Sequence, residues 1–336
     1  MKKKINSNTL LLLITIGLFV LMYVIGCIIY ANKGFTHLQT FLNILINNSG
    51  LLCVTCGMTC VMLTAGIDIS VGSLIAMDCM ILAAGMERWG WSPLALVLLV
   101  LAIGIVFGLV QGLCIGYLEI QPFIVSMAGM FFARGMTAMI CTDQVSVSNE
   151  AFRNVANIKI QLPFGSYVNS KGVEQIPYVR VHVVIALVVL VVIFLMLRYT
   201  KFGRSLYAVG GSEQSATMMG LDVKKTKLKA YMLSSFLCSI GGICYCMNTM
   251  AGSVQQATGL EMDAIASAVI GGTLLTGGVG NVIGSFFGVL INGTISTLVK
   301  TNGKLLSSWS SIAVAALLCF FIVLQSIFAK IKDSKK

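Results

Sequence analysis

Charge is scarce in this 336-residue chain: Asp, Glu, Lys and Arg make up 10% of it, against about 25% in a soluble globular domain. That shortfall excludes an ordinary soluble enzyme or binding domain. Histidine is scarcer still. His37 and His182 stand alone near predicted outer edges of apolar runs, where an interfacial role suits them better than catalysis. No G-x-x-x-x-G-K-[ST] string occurs, so the chain cannot bind ATP by a phosphate loop of its own. No cluster of His, Asp and Glu falls on one predicted face, which argues against a membrane enzyme.

What is present is apolar. Hydrophobic residues make up 57% of the chain, with a mean hydropathy of +0.93. They form several runs near 20 residues long, about the length that spans a bilayer core. The pattern predicts an all-α polytopic membrane protein, one integral domain over 1–336, with about ten transmembrane helices. Their expected bounds are 9–30, 41–63, 71–86, 93–117, 122–141, 181–197, 230–247, 264–275, 279–298 and 311–328. The start carries Lys2, Lys3 and Lys4 but no clear cleavage site after its long apolar run, so it reads as a retained first helix. The eleven cysteines lie mostly inside apolar runs. Cys53, Cys56 and Cys60 share helical spacing, yet no histidine joins them. Buried thiols explain them, and Cys244 and Cys246, better than a metal site or a disulfide framework.

The net charge of +11 does not imply a nucleic-acid partner, because the basic residues sit at predicted membrane edges. The segment 198–229 holds Arg198, Lys201, Arg204, Lys224, Lys225, Lys227 and Lys229. Ten crossings put it on one face with Lys2–Lys4 and with Lys330, Lys332, Lys335 and Lys336. The bias places that face, and both termini, in the cytoplasm. The long polar segment 142–180, which includes Lys159 and Lys171, is then extracytoplasmic.

Two stretches interrupt the apolar pattern. Thr64–Ser73 (T-A-G-I-D-I-S-V-G-S) sets glycines, Asp68, Ser70 and Ser73 between apolar runs. In hydrocarbon such a sequence is costly unless it lines a cavity or packs on protein. Glu261–Gly272 (E-M-D-A-I-A-S-A-V-I-G-G) repeats the device, with Asp263 just ahead of a second short apolar helix. The two approach from opposite sides. They suggest broken helices within an inverted repeat of helices 2–5 and 7–10, with the site at the interface. Asp68 serves equally well as a cap on helix 3. Arg134 is the lone basic residue within a span. Substrate contact, snorkelling, or an ion pair with Asp78 all suit it. The spacings among Gly271, Gly272, Gly277, Gly278, Gly280, Gly284 and Gly288 favour close helix packing. Phe123, Phe131 and Phe132 could stack on a sugar ring, although helix aromatics more often face core or lipid.

Four stretches together resemble one family: Gly66–Ser73 (G-I-D-I-S-V-G-S), Gln121–Gly135 (Q-P-F-I-V-S-M-A-G-M-F-F-A-R-G), Phe202–Gly211 (F-G-R-S-L-Y-A-V-G-G) continuing to Met219-Gly220-Leu221, and Asp263–Gly280 (D-A-I-A-S-A-V-I-G-G-T-L-L-T-G-G-V-G). The chain resembles permease subunits of ATP-binding cassette importers for monosaccharides, of the ribose/galactose/xylose type, over almost its whole length. The Asp263–Gly280 run and Leu305–Ser310 (L-L-S-S-W-S) look most like galactofuranose permeases. The resemblance implies a pair of permeases, identical or paralogous, around a central path. Cytoplasmic ATPase subunits bind the ATP, and an extracytoplasmic protein delivers the sugar. The permease needs no cofactor of its own. It also implies that 198–229 is the coupling segment that docks on the ATPase, through Gly203, Arg204, Ala208, Gly210, Glu213, Ala216, Met219 and Gly220. Ser212 and Ser215-Ala216 depart from the family pattern there. Met218, Met219 and Leu221 form a short apolar patch that suits a groove in a soluble partner, while the basic residues also suit anionic lipid headgroups.

The expected path is lined by Asp68, Ser70 and Ser73, by Gln121, Phe123, Phe131 and Arg134, and by Gln255, Gln256 and Asp263. Two other transporter readings stay open. A branched-chain amino acid permease of the same broad family would use Arg134 with Asp68 or Asp263 for a zwitterion. An ion-coupled secondary transporter would use the two aspartates on broken helices.

Overall fold

The computed structural model describes residues 7–168, 174–306 and 308–333. Lys2–Lys4, Lys171, Ser307, Lys335 and Lys336 lie outside the described residues, as do the side chains of Lys330 and Lys332. In chain order the helices are α1 (Ser7–Ile29), α2 (Leu38–Leu63), α3 (Val71–Glu87), α4 (Pro93–Gly116), α5 (Pro122–Ile140), α6 (Glu150–Ala156), α7 (Val181–Tyr199), α8 (Lys201–Gly211), α9 (Glu213–Met218), α10 (Val223–Thr249), α11 (Leu260–Ile270), α12 (Val282–Asn302) and α13 (Ser308–Asp333). Three short antiparallel pairs accompany them. β1 (Val145–Ser146) joins β6 (Ala251–Gly252), β2 (Lys159–Gln161) joins β5 (Tyr178–Arg180), and β3 (Tyr167–Val168) joins β4 (Glu174–Gln175).

A helix stands at each of the ten expected places. Seven of them, α1, α2, α4, α5, α7, α10 and α12, are long and apolar enough to cross a membrane. α3 and α11 have 17 and 11 residues. At 1.5 Å per residue they reach about 25 Å and about 16 Å, short of an apolar core about 30 Å thick. In α13 the apolar stretch is Ser308–Val323.

Two helices differ from expectation in ways that bear on the site. The helix expected at 230–247 begins at Val223. Asp222 caps it by accepting the Lys225 N–H at 2.9 Å, a bond that holds the Asp222 carboxyl below its ordinary pKa. Lys224–Lys229 are therefore turns of α10. The helix expected at 264–275 instead runs from Leu260 to Ile270, so Asp263 lies inside its first turn and not ahead of it.

The buried centre is α2, α3 and α10, and α10 packs most extensively on α4 and α2. A glycine stripe brings α4 and α10 together. A Cβ on Gly108 would lie 2.7 Å from the Met232 Cα, and one on Gly112 would lie 2.8 Å from the Leu228 Cα. Gly104 and Gly116 extend the stripe at four-residue spacing, so the two backbones touch. The α4–α10 stripe was not expected from the sequence, where close packing was read at 271–288. That packing is present too, with Gly284 against Gly271 and Gly288 against Ser267.

Candidate functional site

The break after α2 is built from hydrogen bonds. The Leu63 carbonyl accepts the Gly278 N–H at 3.0 Å. Ala65 then takes a left-handed conformation (φ +60°), at a cost of order 1 kcal/mol. Tyr231 donates its hydroxyl to the Ile67 carbonyl at 3.1 Å. Asp68 is fully buried. One of its oxygens accepts the Ser70 N–H at 3.1 Å and the Ser70 hydroxyl at 2.6 Å; the other accepts the Ser234 hydroxyl at 3.4 Å. Gln111 donates to Ser70 Oγ at 2.9 Å. Ser234 lies midway along α10, so α3 starts inside the bundle. It runs to Glu87, which accepts the Ser148 and Asn149 N–H groups at 2.7 and 3.0 Å. Asp68 thus fixes the residue before α3 and does not cap its first turn. Asp68, Ser70 and Ser73 are at most 1% exposed.

The second break lies between α10 and α11. α10 ends at Met250 (φ +51°), β6 pairs with β1, and the chain turns back inward through Ala257 (φ +55°). Arg134 of α5 holds this returning segment. Its Nη1 donates to the Val254 carbonyl at 2.5 Å and the Gln256 carbonyl at 2.9 Å. The expected ion pair with Asp78 is not formed; Asp78 is buried against Gly242 of α10 instead. Gly72 packs on the second break. A Cβ there would collide with the Glu261 carboxylate and lie 2.8 Å from the Ala257 carbonyl. The amino ends of α3 and α11 therefore meet within the bundle.

Beside the start of α11 lies a pocket of about 380 Å³, lined by Asn47, Asn48, Leu51, Tyr245, Gln255, Ala257, Thr258, Leu260 and Asp263. Asn47, Gln255 and Thr258 are exposed. Such groups on an apolar bundle face water or protein, not lipid. Gln255 and Asp263 are the two expected path residues brought together here. Sequence reasoning missed Asn47, Asn48, Tyr245 and Thr258, although two consecutive asparagines inside an apolar run were a signal. Gln256 is buried outside the pocket, bonding the Ser253 N–H and the Thr249 hydroxyl, each at 2.9 Å.

The remaining path candidates lie elsewhere. Phe123 and Phe131 are exposed on α5 away from this pocket. Phe132 lines an apolar cavity of about 810 Å³ between α4 and α5, with Gln111 among its walls. Gln121 lines a cavity of about 400 Å³ with Glu119, Glu213, Thr217, Lys224 and Lys227. In it Lys224 pairs with Glu119 at 3.1 Å and Lys227 with Glu213 at 2.5 Å. His182 is not interfacial: it is buried, with Nδ1 2.8 Å from Ser49 Oγ. His37 stacks on Tyr167 at 4.2 Å.

The segment 198–229 forms α8, α9 and the first turns of α10. Arg204, Glu213, Met218, Met219 and Gly220 are exposed on it, while Gly203 and Ala216 are buried and Ala208 and Gly210 are half-buried. Gly210 is a packing position. A Cβ there would overlap the Leu63 carbonyl, and it would lie 2.5 Å from the Gly278 nitrogen. Tyr207 donates to the Gly280 carbonyl at 3.0 Å. This segment therefore touches the first break, at the end of α2, and the link between α11 and α12.

The comparisons agree with this architecture. The family model described as a branched-chain amino acid transport system permease component matches residues 40–324. The inner membrane ABC transporter permease protein YjfF of Escherichia coli is 40% identical over 95% of this chain and 92% of its own length. The fructose import permease protein FruG of Bifidobacterium longum is 32% identical over 99% and 95%. The ribose import permease protein RbsC of Escherichia coli is 33% identical over 92% of each chain. No solved structure matches. A multi-pass helical bundle, two broken helices meeting at its centre and similarity over nearly the full length agree: the chain belongs to the permease subunits of ATP-binding cassette importers, in the branch that holds the ribose import permeases.

Proposed function

We propose that this chain forms the path for a neutral monosaccharide, with galactofuranose as the specific candidate. The observation that carries the reading is the pocket of Asn47, Asn48, Tyr245, Gln255, Thr258 and Asp263. It offers amide, hydroxyl and carboxylate groups that match sugar hydroxyls, and its size is in the range of ligand pockets. The names of the relatives, for fructose and ribose import, point the same way. No cationic residue lines the pocket. An amino acid carboxylate would lack a partner there, because the Arg134 guanidinium is engaged by backbone carbonyls. The polar pair around Asp68 acts as a structural lock beside this path.

An ATPase subunit docks on the exposed groups of α8, α9 and the turn after α9, chiefly Arg204, Glu213, Met219 and Gly220. Both termini and this segment face the cytoplasm, and 142–180 faces outward to receive a sugar-loaded binding protein. A second permease, identical or paralogous, completes the path. The test is uptake into proteoliposomes holding the permease, its ATPase and its binding protein. ATP-dependent uptake of a labelled monosaccharide is expected, with none of leucine. Leucine uptake without sugar uptake overturns the reading. Glu213→Ala is expected to lower ATPase activity of the assembled complex while membrane insertion persists, and unchanged activity removes the docking assignment.

A further inference from the structure

We infer that Arg134 is a latch on the pocket wall, and that it exchanges the Val254 and Gln256 carbonyls for the Glu261 carboxylate when the path opens. The inference rests on the transport reading above and adds the residue pair that gates it. The two carbonyls flank Gln255, which lines the pocket. Arg134 therefore fixes the shape of that wall from a neighbouring helix. Glu261 supplies the second acceptor. It acts electrostatically on Arg134, yet its Oε2 is buried without a hydrogen-bond partner, and it makes no ion pair among the described residues. A buried carboxylate oxygen left unbonded is costly, and a charge-assisted bond from the guanidinium relieves that cost. A transition that both sites bias requires a two-state element of this kind.

α5 is placed to throw the latch. It packs chiefly on α3 and α4, leaving one face uncovered. Its cytoplasmic end opens into the cavity lined by Gln121, Glu213 and Lys227. A shift of α9 on ATP binding displaces that end, and a helix carries the displacement along its length to Arg134. Ala257, in its left-handed conformation beside the carbonyls, is where the released segment relaxes. The Gly72 backbone leaves the room that the Glu261 carboxylate occupies.

The test uses the assembled transporter in proteoliposomes, with sugar uptake measured per ATP hydrolysed. Arg134→Gln and Glu261→Gln are each expected to lower that ratio about tenfold, Arg134→Lys to restore most of it, and the double variant to be no worse than either single one. Ratios in both single variants within about twofold of the parent overturn the latch. So do losses that multiply in the double variant. If a variant does not assemble, hydrogen exchange on the unaltered complex decides. The amides of residues 255–258 are expected to exchange faster when a non-hydrolysable ATP analogue is bound, and unchanged exchange overturns the proposal. A parent complex that moves no sugar at all refutes the transport reading. The exchange experiment still decides the latch in that case.

Discussion

The two broken stretches look alike in sequence and differ in what surrounds them. Thr64–Ser73 is closed: Asp68, Ser70 and Ser73 are buried and the first two are bonded to α10 and α4. The stretch that leads into α11 and its first turn is open: Gln255 and Thr258 are exposed and Asp263 lines a pocket. Each stretch brings a carboxylate into an apolar bundle, where an unsatisfied charge is costly. At Asp68 that cost is answered with protein hydroxyls and an N–H group, at Asp263 with an opening. The closed break gives the open one a fixed wall, because Gly72 and Glu261 meet where the two helices begin.

The sharpest way to break the contrast is to remove the lock. Asp68→Ala strips the acceptor from the Ser70 and Ser234 groups. It should cost about 3 kcal/mol, since several buried donors lose a charged partner. Thermal unfolding of the purified protein in detergent measures it; a loss under about 1 kcal/mol denies the lock. Gly72→Val tests the contact between the breaks. Overpacking against Glu261 and the Ala257 carbonyl should cost about 1–3 kcal/mol, read by the same unfolding experiment. Asp263→Asn should do the reverse of Asp68→Ala: stability within about 0.5 kcal/mol, as for a residue with access to water, with sugar uptake reduced several-fold. Equal stability losses in the two aspartate variants would erase the distinction between closed and open breaks. The smallest effect is expected for Phe131→Ala. Its ring is 65% exposed on α5, so stability should hold within about 0.5 kcal/mol. A larger loss would show that the ring is packed in the protein.

Much of this was legible in residues. Apolar run length located a helix at every expected place, and low charge with two isolated histidines left transport as the readable function. The polar interruption at Asp68 marked the first break, because few sequences tolerate a carboxylate between apolar runs; the second break lies ahead of Asp263, which is inside the first turn of α11. Boundaries were less legible. Lys224–Lys229 read as loop because charged residues end an apolar run, yet Asp222 caps a helix that carries them outward from the bundle. Arg134 offered Asp78 as a partner by composition alone, while the fold gave it the carbonyls of Val254 and Gln256.

By itself the sequence determined the class of fold and the place of the first break, because hydrophobic length and polar interruption are local properties that the bilayer reads directly, while the kind of machine came from four motifs that resemble one family. Only the tertiary structure decided which break is sealed and which is open. That choice depends on what α10, α4 and α5 bring from far along the chain: Ser234 and Gln111 to Asp68, and Arg134 to the segment beside Asp263. Hydrogen-bond satisfaction inside a membrane bundle is a property of neighbours in space, so no stretch of sequence carries it alone.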